Sequence, residues 1–335
     1  MFTIKDIDSP EVKNYFNIFG FVKISGFFKK DLSWINEEFD SIMKKKFGKT
    51  SNRSRNYFSP SFIEENEKLT NIIAMDKIQL LVNNLLGNDP IFWGSDGNIF
   101  SSSTPWHRDY LNIIKSMKIL VYLEKLDSTN GALRIMSGTH FATDKYSSYL
   151  GDALTWPEPP VQGGFNEKNF FGKGHNPLIS GKNISIPHTS IPTNPGDIII
   201  FNHNAIHCTN KAIRNKFVSK IFKQMQRRMF GLHFFANPNN IEDESVRNLC
   251  KNHMSEISLQ EMRDFKAQNR YGSVVMNSKS ETIQQMINPL KHLTNDHCGD
   301  YDGIHTLVPQ ETIEHFNEIK VNPYPKQYFI NTQCS

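Results

Sequence analysis

The sequence predicts an α+β fold with a mainly β core and helices at both ends. Three observations predict it. From about Asp89 to Ala236 the apolar residues come in short runs bounded by turn residues, namely PIFWG, KILVYLE, GALRIM, DIIIFN and MFGLHFF. That is the texture of strands, and antiparallel sheets folded as a sandwich or barrel are the expected form. On either side of this region, apolar residues recur at helical spacing. Apolar residues make up only 38% of the chain, but 25 Phe, 10 Tyr and 4 Trp supply the area that a core needs.

The elements follow in order. In SPEVKNYFNIFG, Ser9 is placed as an N-cap and Pro10 in the first turn. Val12, Tyr15, Phe16 and Phe19 form the apolar face of this helix, and Gly20 ends it. FVKISGFF alternates like a short strand, and a second helix runs from Asp31 to about Lys46. Residues 47–60 are polar and read as a loop; residues 61–86 read as one or two further helices. After the strand region, helices are expected over Ile241–His253, Leu259–Gln268 and Thr282–Met286, followed by an irregular tail.

A length of 335 residues allows two domains at ~150 residues each. The motifs point instead to one domain over 1–335. It has a core at about 90–236, N-terminal helices at 8–88, a lid or insertion at 141–194 and a helical C-terminal extension at 237–335. The formal charge of +4 argues against a nucleic-acid partner. No run of ~18 apolar residues offers a membrane span. The charged N-terminus does not read as a signal peptide, and Cys208, Cys250, Cys298 and Cys334 are too scattered for a disulfide framework. A cytoplasmic monomer or weak homo-oligomer acting on a small molecule is the expectation.

Two motifs carry chemistry. In TPWHRDY, His107 and Asp109 are two apart on a strand or its end, so both can face one ion. In NPGDIIIFNHNAIHCTN, a Pro-Gly-Asp turn leads a buried strand to His203 and His207, four apart. An HxD pair plus a distant His is the two-His-one-carboxylate arrangement, which leaves iron(II) with open positions. A third run, RRMFGLHFF, carries Arg227 and Arg228 into an apolar strand, where a guanidinium needs an anionic partner. Their side chains point to opposite faces, so only one enters the interior.

PWHRD, then GALRIMSGTH, then GDIIIFNHNAIHCTN together resemble the phytanoyl-CoA dioxygenase family, over roughly residues 90–236. The resemblance implies a double-stranded β-helix (jelly roll, cupin-like) and a dioxygenase that uses Fe(II), 2-oxoglutarate and O₂. It implies His107, Asp109 and His207 as metal and catalytic residues, His207 being preferred to His203. It also implies Thr209 and an arginine as the holders of 2-oxoglutarate. Arg227, with Arg228 as the alternative, lies further beyond the distal His than the family's arginine does, across what reads as an inserted loop at 211–226 containing Arg214. Arg134 is read as structural. Trp106 and Tyr110 flank the expected ligands and are candidates to line the pocket. Asp109 stands where halogenating relatives carry a small residue, which implies hydroxylation of a C–H bond or a related oxidation and not halogenation. Desaturation or oxidative cyclisation, a zinc hydrolase or isomerase with the same ligands, and a non-catalytic jelly-roll binding protein are the competing readings.

Overall fold

A computed structural model describes residues 2–48, 56–100, 104–109, 114–128, 130–141, 188–209 and 227–294. Much of the expected lid (142–187), the inserted loop (210–226), Tyr110 and the tail from 295 lie outside the described residues.

The strands are β1 (Phe2–Thr3), β2 (Phe21–Ser25), β3 (Tyr57–Pro60), β4 (Ile91–Phe100), β5 (Thr104–His107), β6 (Ser116–Tyr122), β7 (Leu133–Ile135), β8 (Thr189–Ile191), β9 (Ile198–Asn202), β10 (His207–Thr209) and β11 (Arg227–Phe235). They form a seven-stranded sheet, ordered β1-β2-β9-β6-β11-β4-β3, and a four-stranded sheet, ordered β5-β10-β7-β8. Apart from the parallel β1–β2 pair, the strands pair antiparallel. This is the jelly-roll core.

Period-2 alternation sorts the large sheet's residues between two clusters. Ile119 and Val121 of β6, and Ile198 and Ile200 of β9, join a cluster shared with the helices. Leu120, Tyr122, Ile199 and Phe201 join a second cluster with Leu133, Ile135 and Ile191 of the small sheet. The unbroken run IIIF in β9 is the consequence, since both of its faces are buried.

The helices α1 (Pro10–Phe19), α2 (Leu32–Phe47), α3 (Glu67–Thr70) and α4 (Asp76–Leu86) precede the β core. The Ser9 hydroxyl caps α1 by accepting from Val12 N–H at 3.3 Å, and Gly20 N–H closes it on Phe16 O at 2.8 Å. Residues 57–60, expected as loop, form edge strand β3 instead. Tyr57 and Ser59 turn inward while Phe58 faces out, and Pro60 closes the strand at an edge. The two helices expected over 241–268 are one, α5 (Glu244–Asp264), capped by the Asp243 carboxylate on Ser245 and Val246 N–H. No Pro or Gly interrupts it, so weak periodicity was no reason to divide it. Short α6 (Ser273–Met276) and α7 (Glu281–Ile287) follow.

Phe62 ties helices to sheet. It is fully buried, with ring centroids 5.0 Å from Phe39 of α2 and 6.0 Å from Phe230 of β11. It fits because Gly97 of β4 has no side chain: a Cβ there would lie 2.2 Å from the Phe62 ring. Gly97→Ala is therefore expected to destabilise the fold by about 1–3 kcal/mol. In urea unfolding, Phe62→Ala and Gly97→Ala together should cost clearly less than the sum of the two single changes.

Candidate metal centre

The small sheet brings the motif residues together. His107 ends β5 and His207 begins β10, and the two are directly opposite each other in antiparallel register. Their rings lie 4.3 Å apart. Asp109 follows β5, its N–H donating to the His203 carbonyl at 3.2 Å. Its Oδ1 is 3.5 Å from Nε2 of both His107 and His207. One donor atom from each residue falls within a 4.8 Å group. Adjacent ligands on one ion sit ~3 Å apart, so a small inward adjustment seats a metal.

Local structure presets the donors. The His207 Nδ1 pairs with Ala205 O at 3.0 Å, which directs Nε2 toward Asp109. Burial, then the neighbouring His107, pushes the His207 imidazole below its ordinary value, so the neutral form that a metal needs is favoured. GALRIMSGTH supports the same strand. The Thr139 hydroxyl accepts from Ile206 N–H at 2.9 Å, and Met136 N–H donates to Ile206 O at 2.9 Å.

His203 lies outside this group. Its Nε2 meets His233 Nδ1 at 3.0 Å, and His233 Nε2 meets Asp96 Oδ1 at 2.6 Å. Lys118 Nζ reaches Asp96 Oδ1 at 2.7 Å and lies 3.8 Å from Asp109 Oδ2. Burial alone would raise both carboxyls, but Lys118 outweighs it, aided by His233 at Asp96 and His207 at Asp109, and both are held well below the carboxylate range. Lys118 and Asp96 stand on β6 and β4, with β11 between them. Their bridge crosses Gly231, where a Cβ would sit 2.3 Å from Lys118 Cε and 2.6 Å from Asp96 Oδ1. Sequence reading passed over Lys118, Asp96 and His233. Only the charged residues recurring inside KILVYLE and WGSDGNIF hinted at them.

The two arginines part company. Arg227 is buried and donates from Nη1 to Gly131 O at 3.1 Å. The Tyr122 hydroxyl, buried with no hydrogen-bond partner among the described residues, lies in its field. Gly131 leads into β7, whose Leu133 pairs with Thr209. The Thr209 hydroxyl sits 2.7 Å from that of Thr104. Arg228 turns to the helices, bonding Glu124 at 2.6 Å, Asp40 at 2.8 Å and Asn36 at 2.9 Å. Arg134 stands on β7 opposite Cys208. The side chain of Trp106, like Arg214, lies outside the described residues. Cys208 and Cys250 are buried and in no disulfide among the described residues, and no helix among the described residues is long and apolar enough to cross a membrane.

Two imidazoles and a carboxylate converging inside a jelly roll define the class of non-haem metal oxygenases. Residues 16–217 match the phytanoyl-CoA dioxygenase (PhyH) family, and the chain belongs to that family. It is an Fe(II)/2-oxoglutarate-dependent oxygenase. No curated protein matches it significantly. Among solved structures it is similar to the α-ketoglutarate-dependent carbocyclase SnoK from nogalamycin biosynthesis, at 13% identity and TM-score 0.48, covering 68% of this chain and 84% of that one. It is also similar to HygX from Streptomyces hygroscopicus with nickel and 2-oxoglutarate bound, at 14% identity and TM-score 0.46, covering 68% and 86%. EctD from S. alaskensis matches at 15% identity and TM-score 0.48, covering 69% and 78%.

Lys118→Met leaves Asp96 buried without its cation, and should cost about 3–5 kcal/mol in denaturant unfolding near pH 7. Asp96 titrates below its unfolded value of 3.8, so its contribution is present above that pH and is lost as pH falls. The gap between wild type and Lys118→Met should therefore narrow on acidification below about pH 4.

Proposed function

We propose that the chain is a single catalytic domain that hydroxylates a C–H bond of a small molecule, with His107, Asp109 and His207 as the iron ligands. The convergence of their three donor atoms carries the reading. The donor set fits a divalent ion, since burial favours the neutral His207 imidazole and Asp109 is held ionised. When bound, iron and 2-oxoglutarate turn O₂ into an oxidant of C–H bonds and release succinate and CO₂.

This chain's own residues do the rest. Arg227 binds the distal carboxylate of 2-oxoglutarate, supported by the buried Tyr122 hydroxyl and by Thr209. A buried guanidinium beside an unsatisfied hydroxyl is a fitting receptor for a carboxylate. Thr104 orients the Thr209 hydroxyl from the neighbouring strand. Lys118, held on Asp96, keeps one Asp109 oxygen facing away from the two imidazoles. Apolar walls from Leu120, Ile199 and Phe201 exclude water from the space between the sheets.

Purified protein reconstituted anaerobically with Fe(II) should release succinate from 2-oxoglutarate when O₂ is admitted. His107→Ala should lose both stoichiometric iron binding and succinate release. Arg227→Ala should raise the KM for 2-oxoglutarate about 10–100-fold, the equivalent of one or two charged hydrogen bonds. Arg228→Ala should leave that KM within about twofold and lower thermal stability instead. Iron binding retained in His107→Ala, or a KM effect confined to Arg228→Ala, would refute the assignment.

A further inference from the structure

A cleft of about 250 Å³ has Asp109, Lys118 and His233 among its lining residues, and it runs outward from them to the helical side of the large sheet. Strand pairing explains the route. β3 stops at Pro60, opposite Asp96, so among the described residues no strand covers that edge of β4 from Ser95 back to Ile91. The cleft passes round this bare edge. Gly94, at φ +152°, sits where the β4–β11 register shifts, and it opens the backbone there.

The walls have a distinct chemistry. Phe58 and Phe265 line the outer part with ring centroids 6.1 Å apart, and they remain 47% and 50% exposed. Further in lies Glu64, whose side chain is buried. Its Oε2 accepts from the Ser95 hydroxyl, and among the described residues no ammonium or guanidinium donates to it. The nearby cation, Arg270, is turned elsewhere. Its Nη1 bonds Glu261 at 2.7 Å, its Nη2 bonds the Trp93 carbonyl, and its guanidinium lies 4.5 Å over the Trp93 ring.

Pairing the remaining charges isolates Glu64. Lys118 serves Asp96, Arg270 serves Glu261, and a metal would take Asp109. Glu64 is the carboxylate without a bonded cation; Arg270 acts on it only through space, in a place where a buried charge is costly. Burial pushes its carboxyl up to about 7, and a cationic partner would pull it back down. An anionic ligand would be repelled here, and a neutral donor would leave the charge unmatched.

We propose that the cleft takes a small primary amine, its ammonium seated on Glu64 and its apolar body on the Phe58–Phe265 lip, with the carbon to be oxidised at the Asp109 end. The amine is then the substrate class of the oxygenase reading above, on which its role in the reaction rests. The volume lies near the lower end for small-ligand sites, so the body is a compact one.

Calorimetric titration with three matched probes tests this: phenethylamine, 2-phenylethanol and 3-phenylpropionate. Each is run on the full chain with Mn(II) and 2-oxoglutarate present, and again without them. Wild type should bind phenethylamine at least about 10-fold more tightly than 2-phenylethanol, with 3-phenylpropionate weakest. In Glu64→Gln the amine should fall to within about twofold of the alcohol, while alcohol binding is unchanged. Phe265→Ala should weaken amine and alcohol alike. An alcohol that binds as well as the amine, an amine preference that survives Glu64→Gln, or no binding of any probe would each overturn the proposal. The two readings separate because 2-oxoglutarate titrated into the Mn(II)-loaded protein reports the oxygenase site alone. Failure there with amine selectivity intact removes the reaction and leaves the amine site.

Discussion

The ammonium of Lys118 lies between a buried carboxylate, Asp96, and a half-buried one, Asp109, and the interior of the jelly roll depends on that contact. Lys118 reaches the first at 2.7 Å and the second at 3.8 Å. The bridge spans three strands, β6, β11 and β4, and is possible because the middle strand presents Gly231. His233, on the same strand, carries the network on to His203. His203 thereby has a function different from that of His207: it closes a buried hydrogen-bond chain, and its backbone carbonyl holds Asp109 in place. The charges beside the candidate metal centre are thus fixed by the large sheet, although both candidate His ligands belong to the small one.

That division of labour organises the rest of the fold. The small sheet sets His107 against His207 by register, and the loop after β7 clamps the residue before His207 through Thr139 and Met136. The large sheet offers its inner residues in rows, with Lys118 and His233 in one and Tyr122 and Met229 in another toward the Arg227 end. The candidate metal ligands and the proposed carboxylate anchor Arg227 accordingly adjoin different rows of one interior. Helices cover the other face of the large sheet, with Phe39, Phe62 and Phe230 in contact. The high phenylalanine content reflects this second, larger interface.

The bare edge of β4 connects the two faces. A sheet edge without a neighbouring strand is ordinarily a liability, and here side chains take the strand's place, Arg270 donating to the Trp93 carbonyl and the Tyr271 hydroxyl to the Phe92 carbonyl. Among the carboxylates that line the cleft, Glu64 is the one with no bonded cation among the described residues. The same departure from regular strand pairing that exposes the edge therefore gives the proposed substrate a route and a recognition group.

Local patterns in the sequence were enough for the helix caps at Ser9 and Gly20, for the β character of the described parts of 89–236 and for picking out the HxD and distal-His motifs, because each depends on residues a few positions apart. β3 and the unbroken α5 were missed for the converse reason. Tyr57–Pro60 is a strand because β4 lies beside it, and the Glu244–Asp264 helix is held by burial that its own weak periodicity does not advertise. The choice between Arg227 and Arg228 was open at the level of alternation, which says that the two face opposite ways but not which way is inward. Register with β4 and the waiting carboxylates of Glu124 and Asp40 settle their directions. Lys118, Asp96 and Glu64 were invisible as a group, being scattered charges in three separate elements. The sequence by itself determined which atoms could bind a metal. Tertiary structure decided which charges surround them, because the energy of a buried charge is set by neighbours that only folding brings within a few ångströms.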